Sequence, residues 1–407
     1  MSASLADRLR VGDDVSPRLN TSVRSHGRKG LQAGAENAGG WQHDEGAHRS
    51  SSEPSARVAL LGTGNVGTAV LSRLASWAGT PRGDSLVLVH AGNSRGAMRG
   101  ERLCPAEVKR GLLDGNPWQA DPSLANLSGV ADALAGNGPA HRIIIDATAS
   151  GEVADYHAHW LEQGIHVVTA CKLGSGTTLE RWRAINDAVA RGNARYGDSA
   201  TVGAGLPLLR NIRDLQAGGD TIHSIAGVLS GSLAWLFNHY DGQQPFSQLV
   251  LQAKDAGYTE PDPREDLSGD DVRRKILILA RAAGVPLASD EVAVDSLLEL
   301  AADGASADAG LEALDAPMAE RFEAASAAGA QLGFIARLQD GRARVGLERL
   351  DATHPLAGGA GTDNRVAIWS DRYCDQPLVI QGPGAGAGVT AAGLLDDALR
   401  IARSTPD

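Results

Sequence analysis

The sequence is poor in aromatic residues and cysteines, and it lacks long apolar runs. Aromatic side chains make up 4% of the 407 residues, too few for the stacking platforms on which single-stranded nucleic acids bind. The three cysteines are odd in number and far apart, which predicts a reducing, cytoplasmic environment without a disulfide framework. No stretch of about 18 apolar residues is present, so we expect no membrane partner.

Basic residues are in the minority, and they form no basic stripe. The formal net charge is −11, which makes nucleic acid an unexpected partner. The contents of hydrophobic residues (43%) and charged residues (21%) are ordinary for a globular protein, and the length allows two or three domains. Residues 1–55 are polar without apolar periodicity, which predicts a disordered extension or a start codon placed too early.

From residue 57 onward, short apolar runs alternate with helical segments. Strands are predicted at 57–61, 86–89, 141–146 and 165–169, and this alternation is typical of an α/β fold with a parallel, Rossmann-type sheet. Residues 96–138 are richer in Gly, Pro, Asn and Ala, and we expect an irregular helical insertion there.

Past Lys172 the pattern changes, which predicts a second domain of α+β type. The predicted elements there are a strand at 222–229, a hairpin of 331–338 and 343–350 around Asp340-Gly341, strands at 367–369 and 377–381, and a helix at 390–402. The predicted domains are a dinucleotide-binding domain at 56–200, a substrate-binding, catalytic and dimerisation domain at 201–376, and a C-terminal segment at 377–407 that packs back on the first.

A glycine-rich turn links the first predicted strand to the first predicted helix. It consists of Gly62, Thr63, Gly64, Asn65, Val66 and Gly67. Glycines at this spacing let the backbone turn tightly and approach a pyrophosphate, which then lies at the helix N-terminus. The position between strand and helix favours dinucleotide binding over a tight turn without a ligand.

The end of the second predicted strand bears on the choice between NAD and NADP. Asn93, Ser94 and Arg95 follow it, and no Asp or Glu is present to accept a hydrogen bond from a ribose 2′-hydroxyl. The guanidinium of Arg95 suits a 2′-phosphate. The sequence therefore favours NADP, with NAD possible, over the alternative that Arg95 is a plain surface charge.

Small polar residues and a lysine follow the third and fourth predicted strands. Thr148 and Ala149, and then Lys172, lie where the carboxyl ends of parallel strands face a ligand crevice. A lysine there can hold a carbonyl oxygen or act as an acid, and the alternative is a surface lysine. Cys171 beside it raises a second hypothesis, a thiol nucleophile of a semialdehyde dehydrogenase that makes an acyl phosphate.

An acidic stretch at 258–275 runs through two prolines into a helix. Ser268 is predicted to cap this helix, and Asp271 and Lys275, four residues apart, share one face of it. Val272 and Ile276 begin the apolar stripe that docks the helix on a core. Taken alone, the stretch is an acidic surface loop with an ion pair.

Three stretches together resemble the homoserine dehydrogenase family. They are GYTEPDPREDLSGDDVRRK at 257–275, TVGAGLP at 201–207 and GVLSGSL at 227–233. The resemblance runs from about residue 57 to residue 402 and is strongest to the dehydrogenase half of bifunctional aspartokinase–homoserine dehydrogenases. The polar residues ahead of the first strand leave no room for a kinase, so a monofunctional enzyme is expected.

The resemblance implies an NAD(P)-dependent interconversion of L-homoserine and L-aspartate 4-semialdehyde in threonine, methionine and isoleucine biosynthesis, by a homodimer. Lys275 matches the family's acid/base, and Lys172 matches a residue beside nicotinamide and substrate. Glu260 and Asp271 match residues that hold the substrate ammonium and a water. The other positions that match the substrate pocket are Tyr258, Asp266, Ser230, Gly231 and Ser232.

The family also binds Na⁺ or a similar monovalent cation. The matching positions are Ser199, Val202, Ala204 and Leu206, three of which would contribute backbone carbonyls. Ser199 stands where an acidic side chain is frequent, and Cys171 stands where an asparagine is usual. Gly384 and Gly386 match a glycine-rich loop that returns to the cofactor, and the alternative for that loop is a flexible linker.

The residue types also fit this chemistry when the family resemblance is set aside. An amino-acid substrate needs fixed carboxylates for its ammonium and a cation for its carboxylate, and reduction of an aldehyde develops an alkoxide that a lysine ammonium can protonate. A non-catalytic dinucleotide-binding sensor is a further alternative. The presence of Lys172 and Lys275 together with Glu260 and Asp271 argues against it.

Overall fold

A largely parallel sheet organises the first half of the chain. The computed structural model describes residues 56–113, 127–136, 141–301 and 310–404. The strands of the first sheet are β1 (Ala56–Leu61), β2 (Leu86–Asn93), β3 (Gly96–Arg99), β4 (His141–Asp146), β5 (His166–Thr169) and β6 (Tyr196–Gly197). They lie in the order β3-β2-β1-β4-β5-β6, and all neighbours are parallel except β2 and β3.

Helices connect these strands. They are α1 (Asn65–Ser76), α2 (Pro81–Ser85), α3 (Pro105–Leu113), α4 (Val130–Leu134), α5 (Gly151–Glu162) and α6 (Leu179–Gly192). Thr80, Ser150 and Thr178 precede α2, α5 and α6, and each side-chain oxygen accepts a hydrogen bond from a first-turn amide. These caps fix where the helices begin, because the first amides of a helix have no partner within it. The arrangement is the predicted Rossmann-type α/β fold.

A second, mostly antiparallel sheet organises the rest of the chain. Its strands are β7 (Ile222–Val228), β8 (Val292–Val294), β9 (Ala330–Gln339), β10 (Arg342–Asp351), β11 (Asp363–Ser370) and β12 (Leu378–Pro383). Their order is β12-β11-β7-β9-β10-β8. The hairpin predicted around Asp340-Gly341 is confirmed, since both residues have positive φ, 52° and 73°, and join β9 to β10 as a two-residue turn.

Helices cover one face of the second sheet. They are α7 (Leu208–Ala217), α8 (Gly231–His239), α9 (Phe246–Asp255), α10 (Pro263–Leu267), α11 (Asp270–Ala282) and α12 (Asp315–Ala327). The core between helices and sheet includes Val272, Ile276 and Leu279 of α11, all at most 2% exposed, packed with Phe334 and Val345 of the sheet. The predicted apolar stripe of α11 is therefore confirmed.

The last helix, α13 (Ala387–Arg403), returns to the first sheet. Leu394, Leu395 and Ala398 are fully buried in the same core as Val58 and Leu71. This return was predicted, although the helix begins three residues before the expected position 390.

One local prediction is correct only in part, and another is wrong. The insertion expected at 96–138 is helical at α3 and α4, as predicted, but it begins with a strand, β3, which pairs antiparallel with β2. Ser268 ends α10, and the N-cap of α11 is Gly269, which has a φ of 80°. A glycine takes that position because the left-handed backbone is strained for other residues. The Ser268 hydroxyl still accepts the amide of Asp270 at 3.2 Å.

The expectation for residues 1–55 lies outside the described residues. All described residues belong to one compact unit, so the predicted boundary between 200 and 201 stays a prediction. Among the helices that the structure describes, none is long and apolar enough to cross a membrane.

Candidate active site

The glycine-rich turn after β1 forms an open cradle at the N-terminus of α1. Gly62 has a φ of 88°, and its amide donates to Gly92 at 2.9 Å. A Cβ on Gly67 would lie 1.9 Å from the carbonyl oxygen of Gly62, whereas a Cβ on Gly64 would meet nothing within 4 Å. Gly67 is therefore required by the fold, while the empty space beside Gly64 leaves the first amides of α1 accessible to an anion.

The residues after β2 are tied to this cradle. The Asn93 amide nitrogen donates to the Thr63 hydroxyl at 2.8 Å, and the Arg95 amide donates to the Asn93 side chain at 2.8 Å. Arg95 is exposed, and its guanidinium forms no ion pair with another described residue. Asn93 thus joins the end of β2 to the glycine turn, and Arg95 remains available for an anionic ligand.

A buried carboxylate joins the ends of β4 and β5. Asp146 accepts hydrogen bonds from the amide and hydroxyl of Thr148, at 2.9 and 2.7 Å, and from the hydroxyl of Thr169 at 3.0 Å. The Thr169 oxygen in turn accepts the amide of Cys171 at 2.9 Å. Asp146 therefore fixes the backbone that leads to Thr148 and Ala149 on one strand and to Lys172 on the next.

One carboxylate lies between two lysines. The Lys275 ammonium is 2.8 Å from Asp271 Oδ2, and it donates to the Leu229 carbonyl at 2.6 Å. The Lys172 ammonium is 3.3 Å from Asp271 Oδ1. Lys275 is on α11 and Lys172 follows β5, so the structure brings together the two lysines that the sequence separates by about a hundred residues.

Burial and charge act in opposite directions on this cluster. Burial lowers the pKa of Lys275, and the Lys172 ammonium adds to that effect, although Asp271 opposes both. Burial alone would raise the pKa of Asp271, but the ammonium groups of Lys275 and Lys172 prevail and hold it at about 2. The cluster therefore combines a permanent carboxylate with a lysine that loses its proton more easily than one in water.

An acidic cleft of about 530 Å³ opens beside Asp271. Its lining includes Ser230, Glu260 and Asp266. Ser230 caps α8 by accepting the Leu233 amide at 3.3 Å, and its hydroxyl lies 2.8 Å from that of Ser232. The Ser232 hydroxyl donates to Asp266 at 2.6 Å, and Asp266 accepts the Glu260 amide at 2.8 Å.

This chain of hydrogen bonds ties the acidic loop to the first turn of α8. Gly231 begins that turn, and a Cβ on it would lie 3.2 Å from the Thr362 carbonyl oxygen. Tyr258 is 44% exposed, and its ring stacks on Trp235 with centroids 5.1 Å apart. Four of the predicted substrate residues line the cleft: Ser230, Glu260, Asp266 and Asp271. Ser232 is joined to two of them by hydrogen bonds.

A larger groove of about 1000 Å³ lies along the β9–β10 hairpin. Arginines line it, and Arg337 and Arg344 are paired with Glu348 at 2.7 and 2.8 Å. Its lining includes none of Glu260, Asp266 and Asp271. We assign the chemistry to the acidic cleft, because Asp271 lines that cleft and contacts both lysines.

The glycine loop before α13 is shaped by a buried asparagine. A Cβ on Gly384 would overlap the Asn364 side chain, and Asn364 is 1% exposed with no hydrogen-bond partner for its amide nitrogen among the described residues. Gly386 has a φ of 113° and precedes α13. Gly384 therefore has a packing requirement of its own, whatever the loop binds.

The side chains around the expected cation site are already engaged. The Ser199 hydroxyl donates to Asp397 at 3.0 Å, and Asp198 is paired with Arg213 at 2.6 Å. The Leu206 carbonyl accepts the Leu208 amide at 2.8 Å. Ala204 has a φ of 54°, a conformation unusual for alanine. Within the described ranges no group of three or more His, Cys, Asp or Glu residues could hold a metal.

Cys171 is unsuited to nucleophilic catalysis. It is 3% exposed, and burial together with the charge of Asp146 raises the pKa of its thiol to about 11. A nucleophilic cysteine needs the thiolate, so the structure disfavours the semialdehyde dehydrogenase hypothesis.

No sequence motif pointed to several buried polar residues near the site. His157 lies 3.1 Å from Asp146 and 3.0 Å from the Tyr196 hydroxyl, and Arg281 binds the segment after Lys172. Their partners lie on other elements, and those of Arg281 are backbone carbonyls, which no side-chain motif marks.

Comparison with known proteins identifies the family to which this chain belongs. A family model described as homoserine dehydrogenase matches residues 207–399, and one described as the homoserine dehydrogenase NAD-binding domain matches residues 62–196. A homoserine dehydrogenase of Emericella nidulans is 35% identical over 367 residues, which cover 84% of this chain and 97% of that protein. The chain belongs to the homoserine dehydrogenase family.

Two further relatives define the extent of the similarity. The bifunctional aspartokinase/homoserine dehydrogenase 2 of Escherichia coli is 45% identical over 265 residues. The match covers 64% of this chain and 33% of that protein, so the chain spans about a third of that relative's length. A Candida auris protein of unknown function has a crystal structure that superposes with a TM-score of 0.75 at 34% identity, covering 85% of this chain and 98% of that one. Membership of the homoserine dehydrogenase family confirms the predicted resemblance, and its NAD-binding model identifies the nicotinamide dinucleotide region.

Proposed function

We propose that this member of the homoserine dehydrogenase family reduces L-aspartate 4-semialdehyde to L-homoserine and catalyses the reverse oxidation, in the biosynthesis of threonine, methionine and isoleucine. The observation that carries the proposal is the Asp271 carboxylate between Lys172 and Lys275, at the edge of a cleft lined by Glu260 and Asp266. The cytoplasm is its proposed location, because three widely separated cysteines without a disulfide framework fit a reducing compartment.

The cleft can hold an amino-acid substrate by its charges. The carboxylates of Glu260 and Asp271 attract the substrate ammonium. The first turn of α8, at Ser230, Gly231 and Ser232, offers backbone N–H groups to the substrate carboxylate, where the helix dipole favours an anion. Tyr258 borders the same loop and closes it against Trp235.

Lys275 is the proposed acid and base. When bound, the reduced nicotinamide supplies the hydride to the aldehyde carbon. The Lys275 ammonium gives its proton to the carbonyl oxygen as negative charge develops there, and the neutral amine takes the hydroxyl proton in the reverse direction. Lys172 follows β5 of the sheet that carries the glycine turn, and its ammonium would hold the same oxygen or the nicotinamide in place. Lowering of the Lys275 pKa by burial makes the neutral form accessible.

An assay of the purified protein with NADPH and aspartate semialdehyde tests this function. We expect NADPH consumption that matches homoserine formation. Lys275→Met should lower kcat by roughly 10²- to 10⁴-fold while leaving the Kd for NADPH unchanged. Lys254→Met is the matched control, because Lys254 is exposed on α9 and outside the cleft. Cofactor binding without any turnover by the wild-type protein would contradict the proposal and favour a sensor.

The proposed cofactor is NADP, held by the glycine turn at 62–67, by Asn93, Ser94 and Arg95, and by the strand ends at Thr148 and Ala149. Gly384 and Gly386 would approach it from the loop before α13. Support for NADP over NAD comes from the unpaired guanidinium of Arg95 and the absence of an acidic residue at the end of β2.

A comparison of NADPH with NADH tests this preference. We expect a higher kcat/KM with NADPH, and Arg95→Ser should reduce the NADPH/NADH ratio by about 10- to 100-fold, the worth of one charge-assisted hydrogen bond. Arg102→Ser is the control, since Arg102 is also exposed but 3.9 Å from Asp84. An unchanged ratio in Arg95→Ser would show that another group sets the preference.

A monovalent cation such as Na⁺ at Ser199, Val202, Ala204 and Leu206 stays a prediction. The engaged side chains around it give it no support, and no step of the proposed mechanism uses it.

A further inference from the structure

Arg281 is a buried cation that binds backbone carbonyls. It lies near the end of α11 and is 3% exposed. Its guanidinium donates to the carbonyls of Ser175 at 2.7 Å, Thr177 at 2.9 Å and Leu287 at 2.9 and 3.1 Å. No carboxylate of the described chain forms a salt bridge with it, and it lies over the ring of Trp182, 5.8 Å from the centroid.

The carbonyls of Ser175 and Thr177 belong to the turn that begins at Lys172. The Lys172 carbonyl accepts the amide of Gly176 at 2.7 Å, which closes this turn. Ile278, one helical turn before Arg281, packs on it so closely that a Cβ on Gly176 would lie 3.1 Å from the Ile278 side chain. Arg281 and Ile278 therefore hold the Lys172 turn against α11.

Helix α11 also carries Asp271, the ion-pair partner of Lys172, and Lys275. Both lie in the first half of α11, and because a helix is stiff along its length, the docking of its C-terminal end affects where they lie. The distance of 3.3 Å between the Lys172 ammonium and Asp271 depends on how the turn docks on this helix. Arg281 reaches the three carbonyls through three different nitrogens, Nε, Nη1 and Nη2, spread over a planar fork, whereas a lysine presents all its donors from a single nitrogen.

Burying the Arg281 guanidinium without a paired carboxylate is unfavourable for the free energy of folding. Desolvation lowers the pKa of Arg281 to about 10. A well-packed apolar residue at such a position is frequently as stable as a buried charge. Its contacts with the Lys172 turn indicate a role beyond stability.

We propose that Arg281 is a positioning residue, which holds the Lys172 turn on α11 and so sets the spacing of Lys172, Asp271 and Lys275. This inference rests on the proposed function for the roles of the two lysines, but the geometry it concerns is independent of turnover. Arg281 is buried against the Lys172 turn and acts through Lys172.

This spacing can be followed through the pKa of Lys275, because the positive charge of Lys172 acts on it. The charged groups that face the Lys275 ammonium are Asp271 on its own helix, Lys172 from the turn after β5 and Asp266 from α10, with the Leu229 carbonyl beside them. Lys172 lowers the pKa of Lys275 and Asp271 raises it. If the turn moves away, Lys275 keeps Asp271 but loses the repulsion of Lys172, so its pKa rises.

The test measures the pKa of Lys275 by NMR in protein labelled with ¹³C at the lysine ε-carbon. The lysines are Lys29, Lys109, Lys172, Lys254 and Lys275, few enough to resolve. We expect Arg281→Met and Lys172→Met each to raise the Lys275 pKa by roughly one unit. The double variant should shift it no further than Lys172→Met alone, because both changes remove the same interaction. In the active enzyme, kcat should show the same non-additivity, with single losses on the order of 10- to 100-fold.

Two variants separate positioning from general stability. Arg281→Lys keeps a cation that reaches one carbonyl, so we expect an intermediate rise in the Lys275 pKa. This variant replaces Arg281→Met in the experiment if Arg281→Met does not fold. Arg273→Met is the control on the same helix, since Arg273 contacts Asp270 and Ser289 and leaves the Lys172 turn untouched. A wild-type Lys275 pKa in the folded Arg281 variants, or additive effects in the double variant, would overturn the inference. A wild-type protein without turnover would overturn the proposed function alone, because the NMR measurement needs no activity.

Discussion

Asp271 is the residue on which the charges of the site converge. Two ammonium groups lie within 3.3 Å of its carboxylate, and their attraction outweighs the cost of burial and holds its pKa at about 2. The carboxylate therefore stays ionised near neutral pH, and in the proposed mechanism the proton is transferred by Lys275.

Replacing Asp271 should change the pH profile in a defined direction. Asp271 raises the pKa of Lys275, so Asp271→Asn lowers it further from its already depressed value. Reduction of the semialdehyde needs the ammonium form, so the alkaline limb of kcat/KM should move to lower pH, by roughly one unit.

The measurement is kcat/KM for semialdehyde reduction against pH. Asp255→Asn is the control, because Asp255 is exposed at the end of α9. An alkaline limb at the wild-type position in Asp271→Asn would mean that another group donates the proton.

At the scale of elements, the turn between β1 and α1 uses two glycines for two different reasons. Gly67 has no space for a side chain because the Gly62 carbonyl oxygen would lie 1.9 Å from its Cβ, and Gly64 has open space on its outer side. The fold itself requires a glycine at position 67, whereas we assign the open space at Gly64 to the proposed cofactor.

Alanine substitutions should separate these two roles. Gly64→Ala should fold with an unchanged Tm but bind NADPH at least tenfold more weakly, because its methyl group occupies the approach of the pyrophosphate. Gly67→Ala should lower the Tm by several degrees, since the clash with backbone costs on the order of 2 kcal/mol or more. Thermal melts with and without NADPH measure both effects. A lower Tm for Gly64→Ala without cofactor would assign that glycine to the fold as well.

Helix α11 shows what short sequence patterns can and cannot specify. The Asp271–Lys275 pair and the apolar stripe follow from helical periodicity, and both were predicted correctly. The start of the helix was predicted one residue early, because Gly269 adopts the left-handed conformation that separates α10 from α11. That choice depends on packing, since Phe334 of β9 lies against Gly269.

At the scale of the whole molecule, α13 returns to the first sheet, and Lys172, which follows β5 of that sheet, reaches Asp271 in the lining of the acidic cleft. We predict a C2 homodimer, the commonest assembly of soluble oligomers, with the second sheet as its dimerisation region. Sedimentation equilibrium should give twice the mass of one chain, independent of concentration in the micromolar range. A single-chain mass under those conditions would contradict this prediction.

Short-range sequence patterns determined several local structures of this protein. The glycine turn, the Asp340-Gly341 hairpin and the face shared by Asp271 and Lys275 follow from backbone conformations and periodicities that span a few residues. The resemblance of three short stretches was enough for the family.

The tertiary structure alone decided which distant residues meet. Lys172 reaches Asp271, Asp146 joins the ends of β4 and β5, and Arg281 binds the Lys172 turn, all across long separations in sequence. No local pattern encodes these contacts, because a buried carboxylate or guanidinium is satisfied by whichever donors and carbonyls the packing of helices and sheets brings within reach. The acidic stretch at 258–275 became one wall of an active site only when the fold placed a second lysine beside it.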